Sequence, residues 1–423
     1  MIRELYCEKT KKTSLSVTNT QITSVKKADV VKTGLRLYDK GFIGVAGAIG
    51  TYDENQLTDR AKRMLNFKIP YDCEPTGETK RTLDLTDKFS LTNDVFMRTS
   101  EELLAMLSRT YPQFSFSNTI EYYEQETELK NDCGTKLLYR GNHVQLGVLI
   151  KHKKSQNMLD AMGIHLSRDY DLQDAFKSVS KVCDCFEEKL SPTEAKMPVI
   201  FLYSGNQFVL GGILSKFTTD LEAHAFGAGA SMFSGKIGQK LFSDDFSLMV
   251  DRSSAIPNVC FFDTEGTTLP EDRFLLIENG VLRSPFTAKR VAKQYGYALT
   301  GSAAGEYDSV PDNYLMLDAP NIVMGSSGKT IKELLGGRKA IYVVLAAGGD
   351  FTPQGEYATP VQSAFLFDGE KLCGRLPQLA IRSNVFDMFG KDFIGLATDG
   401  STPNSPLKYF ALDMHVDVIG DWI

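Results

Sequence analysis

The 423-residue chain carries 47 lysines and arginines against 53 aspartates and glutamates, a net charge of -6 that leaves no basic footprint for gripping nucleic-acid phosphates. With 42% apolar and 24% charged residues it is neither disordered nor fibrous, and its length exceeds one ordinary core and points to two domains. Seven cysteines, an odd number without framework spacing, exclude a disulfide scaffold and fit a reducing cytoplasm, and no apolar run approaches the roughly 20 residues that cross a bilayer.

Residues 14–50 read as extended chain. SLSVTNTQITSV leads into VVKTGLRLYDKGFIGVAGAIG, where Asp39-Lys40-Gly41 supplies what a tight hairpin turn requires. Gly41, Gly44, Gly47 and Gly50 do not make a dinucleotide loop, because no helix begins where a phosphate would need amide donors. Residues 53–67 return to helical spacing, with Leu57, Ala61, Met64 and Leu65 on one side, and should cover a face of the sheet. Thr99 and Glu102 form a capping box that predicts the start of a helix through SEELLAMLSRTYP. Strands resume over 114–131 and 135–153, where His143 and His152 have no cysteine or carboxylate at metal-ligand spacing. A helix is expected over about 171–190. On it Cys183 and Cys185 point to nearly opposite sides and can share neither an ion nor a disulfide. The stretch SPTEAKMP, residues 191–198, has two prolines and no apolar periodicity, so it reads as a linker between domains 1–190 and 199–423.

The second domain opens on the strand VIFLYS, residues 199–204. Residues 211–235 read GGILSKFTTDLEAHAFGAGASMFSG. Leu210, Ile213, Leu214, Phe217 and Leu221 follow helical spacing, which predicts a buried central helix emptying into a glycine and alanine loop. If that helix breaks at Thr218, Thr219 and Glu222 make a capping box; His224 does not share a face with Glu222. The run NVCFFDTEGTTLPEDRFLLIENGVL is mostly strand with a hairpin at Asn279-Gly280. Within it Asp263 and Glu265 do acid and base work if buried close together, or fix a turn by accepting backbone amides. A helix capped by Thr287 and Gly296 follows. GSSGKT, residues 325–330, fails as a phosphate loop because Val323 stands where its first glycine belongs; Thr330 and Glu333 cap a short helix instead. The remainder, rich in β-branched and aromatic residues punctuated by glycine, reads as antiparallel strands.

SMFSGKIGQKLF (231–242), FFDTEGTTLPEDRFLLIENGVL (261–282) and IRSNVFDMFGKDFIGLATDG (381–400), following the central helix in that order, resemble the TldD/PmbA family. The resemblance implies an α+β fold: an N-terminal mixed sheet with covering helices, then a mostly antiparallel β domain with the central helix. It also implies a dimeric assembly in which a zinc-bearing subunit cleaves unfolded peptides. In the metal-bearing branch H-E-x-x-x-H on the central helix and a later cysteine hold zinc, and the glutamate activates its water. Counted without gaps from SMFSG, those positions fall on Leu214, Ser215 and Thr219, and no cysteine follows Cys373. The chain is therefore similar to the PmbA, or TldE, branch. That implies no catalytic group, metal or cofactor of its own, a TldD-like zinc-bearing partner, and Glu222, His224, Asp263 and Glu265 as the groups left to face a substrate. A second reading is a non-proteolytic homodimeric binding protein, the family's DNA gyrase modulator. A third, hydrolysis by a serine such as Ser215 or Ser234, lacks a G-x-S-x-G motif.

Overall fold

The computed structural model describes residues 1–86, 91–203, 212–253, 255–313, 321–346, 348–402 and 405–422; Ser204, Leu210 and Gly211, parts of the expected strand and central helix, lie outside them. The architecture is α+β, as the family resemblance implies. In the N-terminal part the elements run β1 (Ile2–Thr18), β2 (Gln21–Asp39), β3 (Phe42–Ile49), α1 (Glu54–Leu65), β4 (Ile69–Pro70), β5 (Lys80–Asp84), α2 (Asn93–Thr110), β6 (Phe114–Asn131), β7 (Lys136–His152), β8 (Ala161–Ser167) and α3 (Leu172–Ser180). They form one sheet in the order β4-β3-β2-β1-β6-β7-β5, with β8 also on β7. Only β5 joins its neighbour in parallel. The β2–β3 turn holds Lys40 and Gly41 at positive φ, which is why Asp39-Lys40-Gly41 signals a hairpin.

The strand-rich remainder runs β9 (Lys196–Tyr203), α4 (Ser215–Asp220), α5 (Ala223–Gly227), β10 (Leu248–Asp251), β11 (Arg273–Glu278), β12 (Val281–Leu282), α6 (Lys289–Tyr295), β13 (Ala303–Ala304), β14 (Asp312–Asn313), β15 (Ile322–Met324), α7 (Ile331–Leu335), β16 (Ala340–Ala346), β17 (Asp350–Phe351), β18 (Glu356–Phe367), β19 (Leu372–Arg375), β20 (Leu379–Asn384), α8 (Val385–Met388), β21 (Phe393–Gly400) and β22 (Lys408–Val418). The order β16-β9-β22-β20-β18-β17 closes on itself through a β16–β18 pairing. Strand β9 reads as one apolar run because both of its faces are buried. Val199, Phe201, Ile341, Val343 and Phe410 belong to the core cluster around α4, whereas Ile200, Leu202, Tyr342 and Val344 share a cluster with Leu15, Phe116, Ile120 and Leu146 of the first sheet. Each such side chain contributes about 1.5–3 kcal/mol of burial.

Several elements differ from their sequence reading. Helix α2 starts at Asn93, capped by the Thr92 hydroxyl, so Thr99 and Glu102 lie inside the helix and cap nothing; Phe96 extends its buried stripe a full turn or more toward the N-terminus. Helix α3 ends at Ser180, and turns carry Cys183 and Cys185, both buried in the same core rather than aimed apart on a helix. Strand β9 begins at Lys196, within the expected linker, because Met197 and the residues after it find partners on β22. Thr287 does not cap α6: its hydroxyl donates to Ala298 O at 2.6 Å, and the α6 N-cap residue, Ala288, supplies no side-chain cap. Gly47 serves close approach rather than a turn. It sits opposite Gly34, and a Cβ on Gly34 would stand 1.8 Å from Tyr307 O, so the cross-strand pair forms a notch for the 305–310 loop.

Candidate functional site

The central helix is two short helices. Leu221 leaves the helical path after α4, and Glu222, at φ -65 and ψ 125, caps α5 by accepting His224 N at 3.0 Å and Ala225 N at 2.9 Å. Thr219 therefore forms no capping box with Glu222. Of the three family positions, Leu214 is buried in the core, Thr219 is exposed, and Ser215 is half-buried with an Oγ that meets no hydrogen-bond partner among the described residues.

The ring of Phe217 dominates what surrounds α4. It packs edge-on to Phe389 at 4.7 Å and Phe242 at 5.5 Å, lies tilted against Phe246 at 5.5 Å and stacks with Phe233 at 5.9 Å. The charged groups on this helix are the buried Lys216–Asp220 pair at 2.8 Å, which also bonds backbone: Asp220 accepts Met232 N at 2.7 Å and Lys216 donates to Pro353 O at 3.2 Å. The residues present do not fit a zinc ion, since Leu214 has no donor atom and Thr219 points to solvent while Leu214 points to the core. Among the described residues, no three histidine, cysteine, aspartate or glutamate side chains gather in ligating geometry.

Charge collects elsewhere. Asp263 and Glu265, 3% and 2% exposed, lie in the turn between Phe262 and Thr268. Asp263 accepts Glu265 N at 3.0 Å and Thr267 N at 2.8 Å on one oxygen and Ala303 N at 3.0 Å on the other. Glu265 accepts the Tyr71 hydroxyl at 2.6 Å and Lys289 N at 2.9 Å, supplying from 24 residues away a cap that α6 lacks locally. Asn313 continues the chain of bonds: its Oδ1 accepts Ala288 N at 2.6 Å, and its Nδ2 donates to Glu222 Oε1. Glu222, Asp263 and Glu265 thus belong to one network joined through α6, β13 and β14. His224 sits at its margin, half-exposed, with Nε2 3.4 Å from Asp312, which pairs with Arg290 at 3.1 Å.

The same turn is gripped by the N-terminal sheet. The buried Arg36 donates to Thr264 O and to Glu4 at 3.2 Å, and Glu4 also accepts from Tyr38 at 2.9 Å and Asn131 at 3.2 Å. Thr76 donates to Glu265 O at 2.7 Å and accepts from Lys289 Nζ at 2.8 Å. Burial, then the neighbouring Asp263 carboxylate, push the Glu265 carboxyl up to about 7, against the Tyr71 and Lys289 bonds that favour its charged form. Burial and Glu265 hold Tyr71 far above the ordinary tyrosine range, so it remains a donor. With each oxygen already bonded to a donor, these two carboxylates anchor backbone rather than present a reactive face.

The sequence reading missed Arg36, Tyr71, Thr76, Lys289 and Asn313. Only Arg36 left a local sign, a charge inside the apolar run Gly34-Leu35-Arg36-Leu37-Tyr38. Neither named serine acquires a base: Ser234 donates to Phe226 O at 2.7 Å, and among the described residues neither it nor Ser215 bonds a histidine. A serine–histidine contact does occur in a 460 Å³ cavity lined by His165, Ser167, Arg168, Pro257 and Lys408. There His165 lies 2.9 Å from Ser167 Oγ and 3.2 Å from Ser178 Oγ, and burial holds its imidazole down to about 4.

Comparison with known proteins adds to this geometry. The model of the PmbA/TldA metallopeptidase C-terminal domain matches residues 194–407, and that of PmbA/TldA metallopeptidase domain 1 matches residues 4–65. A metalloprotease from Archaeoglobus fulgidus is 20% identical over 313 residues, 71% of each chain. Among solved structures, TldE from Thermococcus kodakarensis superposes with a TM-score of 0.79 at 16% identity, covering 98% of this chain and 96% of that one. A Thermotoga maritima protein described as a modulator of a DNA gyrase gives a TM-score of 0.75 at 14% identity, with the same coverages of 98% and 96%. At those identities the structural likeness speaks to the fold.

Proposed function

The chain belongs to the PmbA/TldD metallopeptidase family, and from that premise we propose that it is a TldE-like subunit with no zinc and no catalytic group of its own. The observation that carries this reading is the state of these positions: where the metal-bearing branch places two histidines and a glutamate, this chain has Leu214, buried in an aromatic core, with Ser215 half-buried and Thr219 exposed. Its role is then to complete a cytoplasmic two-subunit peptidase that handles unfolded peptides, with its second domain opening at β9, three residues before the expected 199. A peptide could approach the loop after α5 closely through its main chain, because Gly229, Gly235 and Gly238 have open space where a Cβ would stand. Among the described residues no helix is long and apolar enough to cross a membrane.

The test is a mixing experiment with an unfolded reporter peptide, using this protein alone, an H-E-x-x-x-H family member alone, and both together. Hydrolysis is expected to exceed that of the metal-bearing member only in the mixture, and to vanish with a chelator. Cleavage by this protein alone that Ser215→Ala abolishes and a chelator does not would make it a serine hydrolase. Absence of both cleavage and co-elution with any such member would instead support the non-proteolytic homodimer.

A further inference from the structure

Charges of both signs line the cavity that holds the His165–Ser167 contact, and they do not neutralise one another. Lys408 is the first residue of β22, and the turn before it is fixed by the buried Ser405, whose Oγ accepts Leu407 N at 3.0 Å. Asp169 and Asp174 come from the connection between β8 and α3 and from the first turn of α3. Among the described residues none of these three side chains makes a hydrogen bond or an ion pair. The neighbouring charged groups are engaged: Arg168 donates to Ile256 O at 3.1 Å, and Asp171 caps α3 by accepting Asp174 N at 2.8 Å. His165 is neutral, held down to about 4 by burial. Burial also lowers the Lys408 ammonium from its ordinary range, against the pull of Asp399. An arriving carboxylate would offset the cost of keeping that half-buried cation without a partner.

We propose that this cavity binds a small zwitterion of the size of a free α-amino acid, its carboxylate held at Lys408 and its ammonium at Asp169 and Asp174. A ligand carrying both signs matches such a lining. A simple anion would meet the two carboxylates and a simple cation would meet the lysine, and each such encounter opposes binding. The cavity measures 460 Å³, within the roughly 300–1,000 Å³ of small-molecule sites, and Ala255, Pro257 and Pro406 give it an apolar surface for a side chain. A hydroxyl both donates and accepts, so Ser167, 2.9 Å from His165 Nε2, can serve the imidazole and the ligand carboxylate together. The occupant would bridge α3 of the N-terminal part and β22 of the strand-rich part. The proposal rests on this cavity alone and stands whether or not the chain serves a peptidase.

The test is calorimetric titration of the full chain with leucine, N-acetylleucine and leucinamide, which differ only in which end carries charge. Leucine should bind, and each blocked form should bind about tenfold or more weakly, since each lacks one charged contact. In Lys408→Met the affinity for leucine should fall to that for leucinamide, and in the double variant Asp169→Asn, Asp174→Asn it should fall to that for N-acetylleucine. The comparison of blocked ligands decides the matter even where Lys408→Met disturbs folding. Absence of binding at leucine concentrations up to about 10 mM would overturn the proposal. So would equal affinity for leucine and N-acetylleucine, which marks a site for anions, or for leucine and leucinamide, which marks a site for cations.

Discussion

Two regions of this molecule stand in contrast: the surroundings of α4, where family chemistry would sit, and the junction where the 263–266 turn meets the N-terminal sheet. The first is packed with phenylalanine and keeps one buried ion pair. The second holds Glu4, Arg36, Asp263, Glu265 and Tyr71 within a few ångströms, each tied to backbone or to another of the group. A buried titratable cluster is therefore no sign of an active site here. Its carboxylates cap a helix and fix a turn, while α4 buries Lys216, Phe217 and Asp220 among aromatic rings.

If α4 is core, truncating its central ring should cost most. Phe217→Ala is expected to lower unfolding free energy by about 3–5 kcal/mol, measured by denaturant titration, because four neighbouring rings cannot collapse into the space. A loss under about 1 kcal/mol would mean the cluster is loosely packed. At the junction, Arg36→Met leaves Glu4 buried with only Tyr38 and Asn131 as donors, and about 3 kcal/mol should be lost. Adding Glu4→Gln should recover much of it, which a purely steric effect of the methionine would not allow.

The junction also predicts a pH signature. Glu265 titrates at about 7 when folded against an ordinary 4.5, so its contribution is fully present below pH 4.5 and is lost as pH rises through about 7. His143, stacked on Tyr123, and His165 act oppositely: burial holds each at about 4, so their contribution is present above 6.5 and is lost as pH falls toward 4. The difference in stability between wild type and Glu265→Gln should therefore slope between pH 4.5 and 7, with the histidine trend common to both. Parallel curves would show that Glu265 is charged throughout. The smallest effects belong to the vacated family positions: Thr219→Ala, exposed, and Ser215→Ala, whose hydroxyl has no described partner, should each change stability by no more than about 0.5 kcal/mol.

What the sequence made legible was local. The turns at Asp39-Lys40-Gly41 and Asn279-Gly280 and the Thr330–Glu333 capping box are written in neighbouring residues, and the structure forms all three. For the central helix the sequence offers a break at Thr218 with Thr219 and Glu222 as a capping box; the structure breaks it at Leu221 instead, with Glu222 alone capping α5, because apolar periodicity does not register which residue turns out of the helix. Helix α6 shows the same limit, since its N-terminal amides are satisfied by Glu265 and Asn313 rather than by Thr287. The junction was beyond reach: Tyr71 and Glu265 stand 194 residues apart, and no pattern within a window connects them. The assignment of Leu214, Ser215 and Thr219 to the family positions rests on a count from SMFSG alone.

The proposal that this chain holds no zinc is open to direct measurement. Elemental analysis of the purified full chain, after dialysis against a mild chelator, should find less than about a tenth of a zinc ion per chain, because Leu214, Ser215 and Thr219 offer no ligand set. One zinc retained per chain would contradict it, and would require a metal site built from residues other than those of α4.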